Sequence, residues 1–399
     1  MKKIMILGAS ILQLPAIQKA KDMGLHVVAV DMNPDAVGFH VSGIEIEVIS
    51  TIDIPAVLEA ARRHHIDGIM TLASDMPMRT VAVVAKELGL VGISEETAIK
   101  ATNKACMRQA LHKQNVPIPE FFQVNHWDEF LDAINVLQDK GYRCIIKPAD
   151  NSGSRGVTLL EDYETETIKA AYRHSKEFSR SGDILVEEYM EGPEVSVETM
   201  SVDGNCVVIQ ITDKLTTGAP YFVEMGHTQP SSLSDDICQQ ISQVAIAAVQ
   251  AIGIKDGPSH TEIKITRDGP KIVELGARLG GDCITTHLVP LSTGVDMVEC
   301  SIQIALGITP NLTTKYNKAS AIRYLETECG KIKDICGIEE AENIWGIQQV
   351  SIVHGIGDQA AKIKSSTDRV GFVIAQMDST EGAVAACMKA KDLIKVMVD

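Results

Sequence analysis

The sequence predicts a layered protein of α/β and α+β construction, and three observations carry that expectation. Over the first ~95 residues, short β-branched runs alternate with amphipathic segments. From 194 to about 276 the pattern is strand-rich, interrupted by one long helix-periodic stretch at 234–252. Aliphatic residues are plentiful while aromatics make up 4% of the chain, a balance that suits stacked helices and sheets rather than disorder.

In order along the chain, strands are expected at 3–7, 26–30, 45–49, 68–72 and 91–92, with helices at 15–23, 54–64 and 78–88 between them. That alternation implies a parallel, doubly wound sheet over 1–95. Residues 96–120 form a helical connector that carries Lys104 and is stopped by the prolines Pro117 and Pro119. A helix at 127–140, strands at 143–147 and 157–160, a helix near 164–179 and a strand at 184–187 make a small α+β unit, 121–190. Residues 191–308 hold the strand-rich part and a helix at 295–306. The tail, 309–399, closes with strands at 319–325, 348–352 and 369–376 and a helix at 380–394.

The bulk numbers exclude several classes. With 399 residues the chain divides into two to four units, each able to bury a core. A net charge of −16 argues against nucleic acid as a partner, because phosphate contacts need a basic face. Nine scattered cysteines without a Cys-x-x-Cys pair fit reduced thiols in a cytoplasm. The apolar run after Lys2 and Lys3 is broken by Gly8, Gln13 and Pro15, so a first strand and turn are expected rather than a signal peptide. No apolar run approaches the ~18 residues that span a membrane. Gly8 and Asp31 invite a dinucleotide reading, but the later glycines of that fingerprint are missing.

The chemistry concentrates further on. In the stretch KIVELGARLGG (271–281), Glu274 ends a strand, and Glu262 lies on the strand before it. Two carboxylates on neighbouring strands offer hard oxygens suited to Mg²⁺, and Arg278 is near enough to reach a phosphate carried by that metal. NSGSRGV (151–157) joins two strands, with Lys147 at the end of the first. A Gly/Ser loop between strands is most often a plain turn; with a strand-end lysine, an internal arginine and a downstream carboxylate pair, it becomes a phosphate cradle. The strand at 184–187 runs into Glu187 and Glu188, an arrangement that can hold adenine on its backbone or simply end in solvent.

These pieces, in this order, resemble the ATP-grasp superfamily over residues 1–310 and the fold it implies. The resemblance makes Lys104 and Lys147 the phosphate lysines. It makes Ser152, Gly153, Ser154, Arg155, Gly156 and Val157 the lid loop, and Glu187, Glu188, Tyr189 and Met190 the adenine hinge, with Glu194 on the ribose. Glu262 and Glu274 become the metal carboxylates and Arg278 the phosphate arginine. Gly276 departs from the pattern, because most members place an Asn metal ligand there. The Glu-Leu-Gly-Ala-Arg wording is similar instead to the L-amino-acid ligase branch. In that branch Glu224 and His227, preceded by Lys214 in the nucleotide site, would line the substrate pocket. Taken singly, Glu224 reads as a surface acid and His227 as a loop histidine. His260 shares a face with Glu262, its role open.

The resemblance implies an ADP-forming carboxylate–amine ligase that uses ATP and Mg²⁺, or Mn²⁺, and works through an acyl phosphate on an amino acid or similar acid. A purine-pathway ligase, a phosphotransferase of the same fold and a nucleotide sensor are the alternatives. Small-molecule substrates, a cytoplasmic location and a homodimer through the N-terminal sheet complete the expectation.

Overall fold

The computed structural model describes residues 2–151 and 155–399. Four strands, β1 (Lys3–Leu7), β2 (His26–Asp31), β3 (Glu45–Val48) and β4 (Gly68–Thr71), form an all-parallel sheet in the order β3-β2-β1-β4. Helices α1 (Leu14–Asp22), α2 (Ile54–His64) and α3 (Pro77–Leu88) each carry proline in the first turn, where a missing N–H costs nothing. The doubly wound pattern is as the alternation required. The strand expected at 91–92 does not form. The edge of β4 is covered instead by the helix Met297–Ala305, so close that a Cβ on Gly68 would lie 2.6 Å from the Ala305 carbonyl oxygen.

The connector holds two helices, α4 (Glu95–Thr102) and α5 (Lys104–Lys113), separated at Asn103, whose side chain accepts from the Cys106 N–H. A second, antiparallel sheet follows. It contains β5 (Phe121–Val124), β6 (Cys144–Pro148), β7 (Thr158–Leu159) and β8 (Ile184–Glu188), in the order β5-β8-β6-β7. Helices α6 (Trp127–Asp139) and α7 (Thr165–Phe178) pack on it around Phe130, Ile134 and Ile168. β5 opens the unit expected at 121–190, ahead of the helix at 127–140, where no strand was expected.

The large sheet is built from β9 (Glu194–Val202), β10 (Asn205–Thr216), β11 (Glu224–Gln229), β12 (Gly257–Thr266) and β13 (Gly269–Gly276), together with tail strands. The tail supplies β14 (Ala319–Leu325), β15 (Gly330–Cys336), β16 (Ile347–Ile352), β17 (Gln359–Ala360), β18 (Gly371–Met377) and β19 (Lys395–Val398). Eight strands run in the order β13-β12-β9-β10-β11-β14-β18-β16, while β17-β15-β19 form a small separate sheet. The pairing of β11 with β14, Gly226 opposite Arg323, carries the sheet across the boundary expected at 308/309.

Helix α8 (Asp235–Ile252) covers one face of this sheet, where Val195, Val197, Ile263 and Leu275 bury against Ile241, Ala245 and Val249. The remaining helices are α9 (Val289–Thr293), α10 (Met297–Ala305), α11 (Ile338–Glu342) and α12 (Thr380–Leu393). With α8 on the back, the polar residues of β9–β13 project from the front. Among the described residues, no helix is long and apolar enough to cross a membrane.

Candidate active site

A cleft opens between the β6–β8 sheet and the front of the large sheet. Glu262 and Glu274 face each other directly across β12 and β13. Just beyond them the register slips: Ile263 pairs with Ile272, leaving Val273 as an extra residue in β13. This bulge aims both Val273 and Glu274 into the cleft.

Each carboxylate holds a lysine ammonium. Lys104 Nζ lies 2.7 Å from Glu274 Oε1 and also donates to the Asn151 carbonyl at 2.7 Å. Lys214 Nζ reaches Glu194 at 2.6 Å, Glu262 at 2.9 Å and Glu224 at 3.3 Å. Burial works against the charge on Lys214, but the three acids outweigh it and hold the ammonium well above its ordinary pKa. Burial likewise penalises Glu262, yet Lys214 and His260 keep its carboxyl well below the usual range. Paired carboxylate oxygens that each attract a cation fit Mg²⁺ as a ligand set of two, with phosphate and water oxygens able to fill the rest of its shell. Among the described residues no cluster of three or more His, Cys, Asp or Glu is assembled to hold a metal by itself.

Lys147, on β6, donates to Glu187 at 2.9 Å and lines the cleft. Glu187 itself does not reach the cleft. Its side chain is completely buried and takes two bonds from Arg108 of α5, Nε to Oε1 at 2.6 Å and Nη2 to Oε2 at 3.2 Å. Burial alone would raise Glu187, but Arg108 and Lys147 bring it down to about 2. The side chain of Glu187 therefore anchors Lys147 from beneath the cleft. Glu188, Tyr189, Met190 and Glu194 do line the cleft. Glu188 is tied to Lys271 at 2.9 Å, and the Arg143 guanidinium lies over the Tyr189 ring. Arg155 and Val157 also line it, and Gly156 has φ +78° with no room for a Cβ beside Phe178. Ser152, Gly153 and Ser154 lie outside the described residues.

Glu224 and His227 are three residues apart, and strict strand alternation would put them on opposite faces. The structure brings them to one face through a second bulge. Leu215 pairs with Gly226 but Thr216 with Glu224, leaving Met225 unpaired, while Lys214 pairs with His227. His227 is buried, and neither ring nitrogen has a hydrogen-bond partner among the described residues. Its Nε2 is 3.7 Å from Asp282, which is gripped by Arg369 at 2.7 and 2.9 Å. The Arg369 guanidinium rests 3.7 Å above the Tyr324 ring. Burial raises the Asp282 carboxyl, but His227 and Arg369 outweigh that and hold it far below its ordinary pKa.

His260 bonds to the fully buried Glu198 at 2.5 Å and stands 3.6 Å from Glu262. Burial disfavours its charge, but Glu198 dominates and lifts it to about 9, so it meets Glu262 as a cation. Arg278 projects beside the cleft, where the Glu274 and Glu262 charges act on it, and its Nε donates to Asp75 at 2.9 Å. Sequence reasoning missed Asp75, Arg108, Asp282 and Arg369. Only Asp282 stood near a recognised motif, directly after Gly280 and Gly281.

Residues 140–286 match the family described as an ATP-grasp domain, and residues 323–399 match the L-amino acid ligase C-terminal domain 2. The chain is 28% identical over 287 residues to an L-arginine-specific L-amino acid ligase of Bacillus subtilis, covering 70% of this chain and 68% of that protein. It is 26% identical over 407 residues to a formate-dependent phosphoribosylglycinamide formyltransferase of Saccharolobus solfataricus, covering 99% and 97%. Among solved structures, an L-amino acid ligase from Bacillus licheniformis superposes with a TM-score of 0.85 at 23% identity, over 100% of this chain and 99% of that one.

Proposed function

The chain is an ATP-grasp protein that ends in an L-amino acid ligase C-terminal domain, and from that premise we propose that it joins a small carboxylic acid to an amine, with an amino acid as acid, and releases ADP. The observation that carries the reading is the Met225 bulge. It sets Glu224 and His227 on the face that bears the Glu262–Glu274 pair, so a substrate amine and carboxyl can lie next to the transferring phosphate.

In this reading adenine lies along Glu188–Met190 and the phosphates run towards Lys104, Lys147 and Lys214. Glu262 and Glu274 would hold Mg²⁺, which would neutralise phosphate charge when bound. A free carboxylate resists amines because its leaving group is poor. Its oxygen attacks the γ-phosphorus, ADP departs, and the acyl phosphate then loses phosphate as the amine nitrogen attacks and gives up a proton. Arg278 and Lys147 stabilise charge on the moving phosphoryl group. Glu224 holds the amine and His227 lies against the reacting carboxyl. A homodimer working in a cytoplasm belongs to the same reading.

The test is ADP release with Mg²⁺-ATP against amino acids, singly and in pairs, with mass spectrometry of each reaction. ADP that needs a pair, with a product one water lighter than their sum, supports the ligase. ADP with one compound and a phosphorylated product overturns it in favour of a phosphotransferase. A second reading draws on the end-to-end match to the formyltransferase: turnover with formate and phosphoribosylglycinamide alone would favour that chemistry.

A further inference from the structure

Two residues outside the nucleotide cleft meet at Arg278. Asp75 comes from the loop after β4, at the C-terminal edge of the N-terminal parallel sheet, and Gly276 is the last residue of β13. We propose that Asp75 is a positioning residue for Arg278, that it sets the guanidinium from the loop after β4, and that position 276 is glycine so that it can. The inference rests on the reading in which Arg278 meets the transferring phosphoryl group.

The geometry is specific. Asp75 Oδ1 takes the Arg278 Nε–H at 2.9 Å, with both side chains largely shielded, 18% and 16% exposed. Nη1 leans on the Leu279 carbonyl at 3.3 Å, and Nη2 has no hydrogen bond among the described residues. An arginine fixed at Nε presents its Nη edge in one plane, the edge that binds phosphate oxygens in pairs.

The Asp75 loop is built to stay in place. Gln13, 2% exposed, donates from Nε2 to the Leu72 carbonyl at 2.6 Å and to Ser74 Oγ at 3.1 Å, while Ser10 donates to Gln13 Oε1 at 2.7 Å. Gly8 makes room for that amide, since a Cβ there would sit 2.7 Å from Gln13 Cδ. The loops after β1 and β4 flank the point where the strand order reverses, the place where open α/β sheets present residues to ligands.

Gly276 completes the set. A Cβ there would lie 3.0 Å from Asp75 Oδ1 and 3.1 and 3.2 Å from Arg278 Nε and Cζ. A side chain at 276 would press on the place where the pair meets, and Asp75 or Arg278 would have to give way by a few tenths of an ångström. Beside that position the chain has an ion pair between the loop after β4 and the segment that follows β13. An ordinary ion pair that merely staples two loops predicts a different experimental pattern.

The experiment is calorimetric binding of MgADP, alone and with aluminium fluoride as a phosphoryl mimic, which needs neither acid nor amine. Asp75→Ala is expected to weaken the fluoride complex by about 10-fold or more, since a misplacement of ~1 Å at a reacting centre costs on that order. MgADP alone should bind as in the unaltered chain. Asp75→Asn keeps an acceptor oxygen and should recover most of the loss. Gly276→Ala should copy Asp75→Ala, and the double variant should be no weaker than the worse single one. The proposal is overturned if Asp75→Ala binds the fluoride complex normally, or loses MgADP by the same factor. It is also overturned if the two losses add, or if fluoride tightens nothing in the unaltered chain. An amino-acid panel that yields no amide would remove the substrate reading and leave this result standing.

Discussion

Replacing Arg108 by Met removes a guanidinium that is 2% exposed while leaving its partner Glu187 in place and completely buried. Glu187 would keep only Lys147, and the Val273 carbonyl would lose the bond it takes from Arg108 Nη2 at 2.8 Å. Breaking a buried pair by removing one partner costs about 3–5 kcal/mol. The depression of Glu187 to about 2 points to the same range. A shift of that size from the ordinary carboxyl is worth about 3 kcal/mol, contributed jointly by Arg108 and Lys147 after burial has been overcome. We therefore expect Arg108→Met to lose about 3 kcal/mol. In urea unfolding at pH 7, followed by circular dichroism, that lowers the midpoint by about 1 M for m near 3 kcal/mol/M. Arg108→Met/Glu187→Met would leave the Lys147 ammonium, 9% exposed, without the carboxylate it donates to at 2.9 Å, so it should be no more stable than the single variant. A single variant with an unchanged midpoint, or a double variant clearly more stable than the single one, would refute the view that this pair is a buried anchor for Lys147.

Arg278→Ala should lower ADP release by about 10²–10³-fold, or ~2.7–4 kcal/mol, by analogy with loss of an oxyanion donor; unchanged turnover in a folded variant removes Arg278 from the scheme. Glu262→Gln or Glu274→Gln should raise the Mg²⁺ needed for half-maximal ADP binding by about 10-fold or more, and calorimetric titrations that coincide with the unaltered chain would exclude them as ligands. Glu187 is depressed on folding to about 2, so its contribution to stability is complete above the ordinary carboxyl pKa of 4.5 and is lost as pH falls from there towards 2. The urea midpoint should accordingly drop between pH 5 and about pH 3, and the drop should be shallower in Glu187→Gln; parallel curves would contradict the assignment. Deleting Met225 takes out the inserted residue and leaves Glu224 two positions from His227, so regular alternation keeps both on one face and amide formation should survive while MgADP still binds; loss of ligation in a folded deletion variant counts against the substrate face.

The sequence announced what depends on neighbours along the chain and concealed what depends on neighbours in space. Buried runs such as Lys3–Leu7 and the helix-periodic stretch of α8 were legible because burial imposes a period on local sequence. The carboxylates Glu262 and Glu274 were legible because each sits at a set distance from its own glycines and strand. The facing of the Glu187 side chain was hidden for a physical reason: every residue of β8 is buried, so the alternation that would separate the facing of Glu187 from that of Glu188 has no polar side to reveal it. The pairing of Glu224 with His227 on one face contradicts alternation altogether, because Met225 is an inserted residue, and nothing in its identity marks a bulge. Asp75 is 203 residues from Arg278 and Arg369 is 87 from Asp282, so no local pattern could couple them. Yet each pair leaves a trace at a small residue or a strained one. Gly276 stands where a ligand was expected and has Asp75 Oδ1 within 3.0 Å of where a Cβ would be, and Asp282 and Cys283 take φ of 50° and 63° where Arg369 grips the first of them. Such a departure from the family pattern, or a backbone that only a tight tertiary contact would tolerate, is the point at which local sequence reports a distant partner.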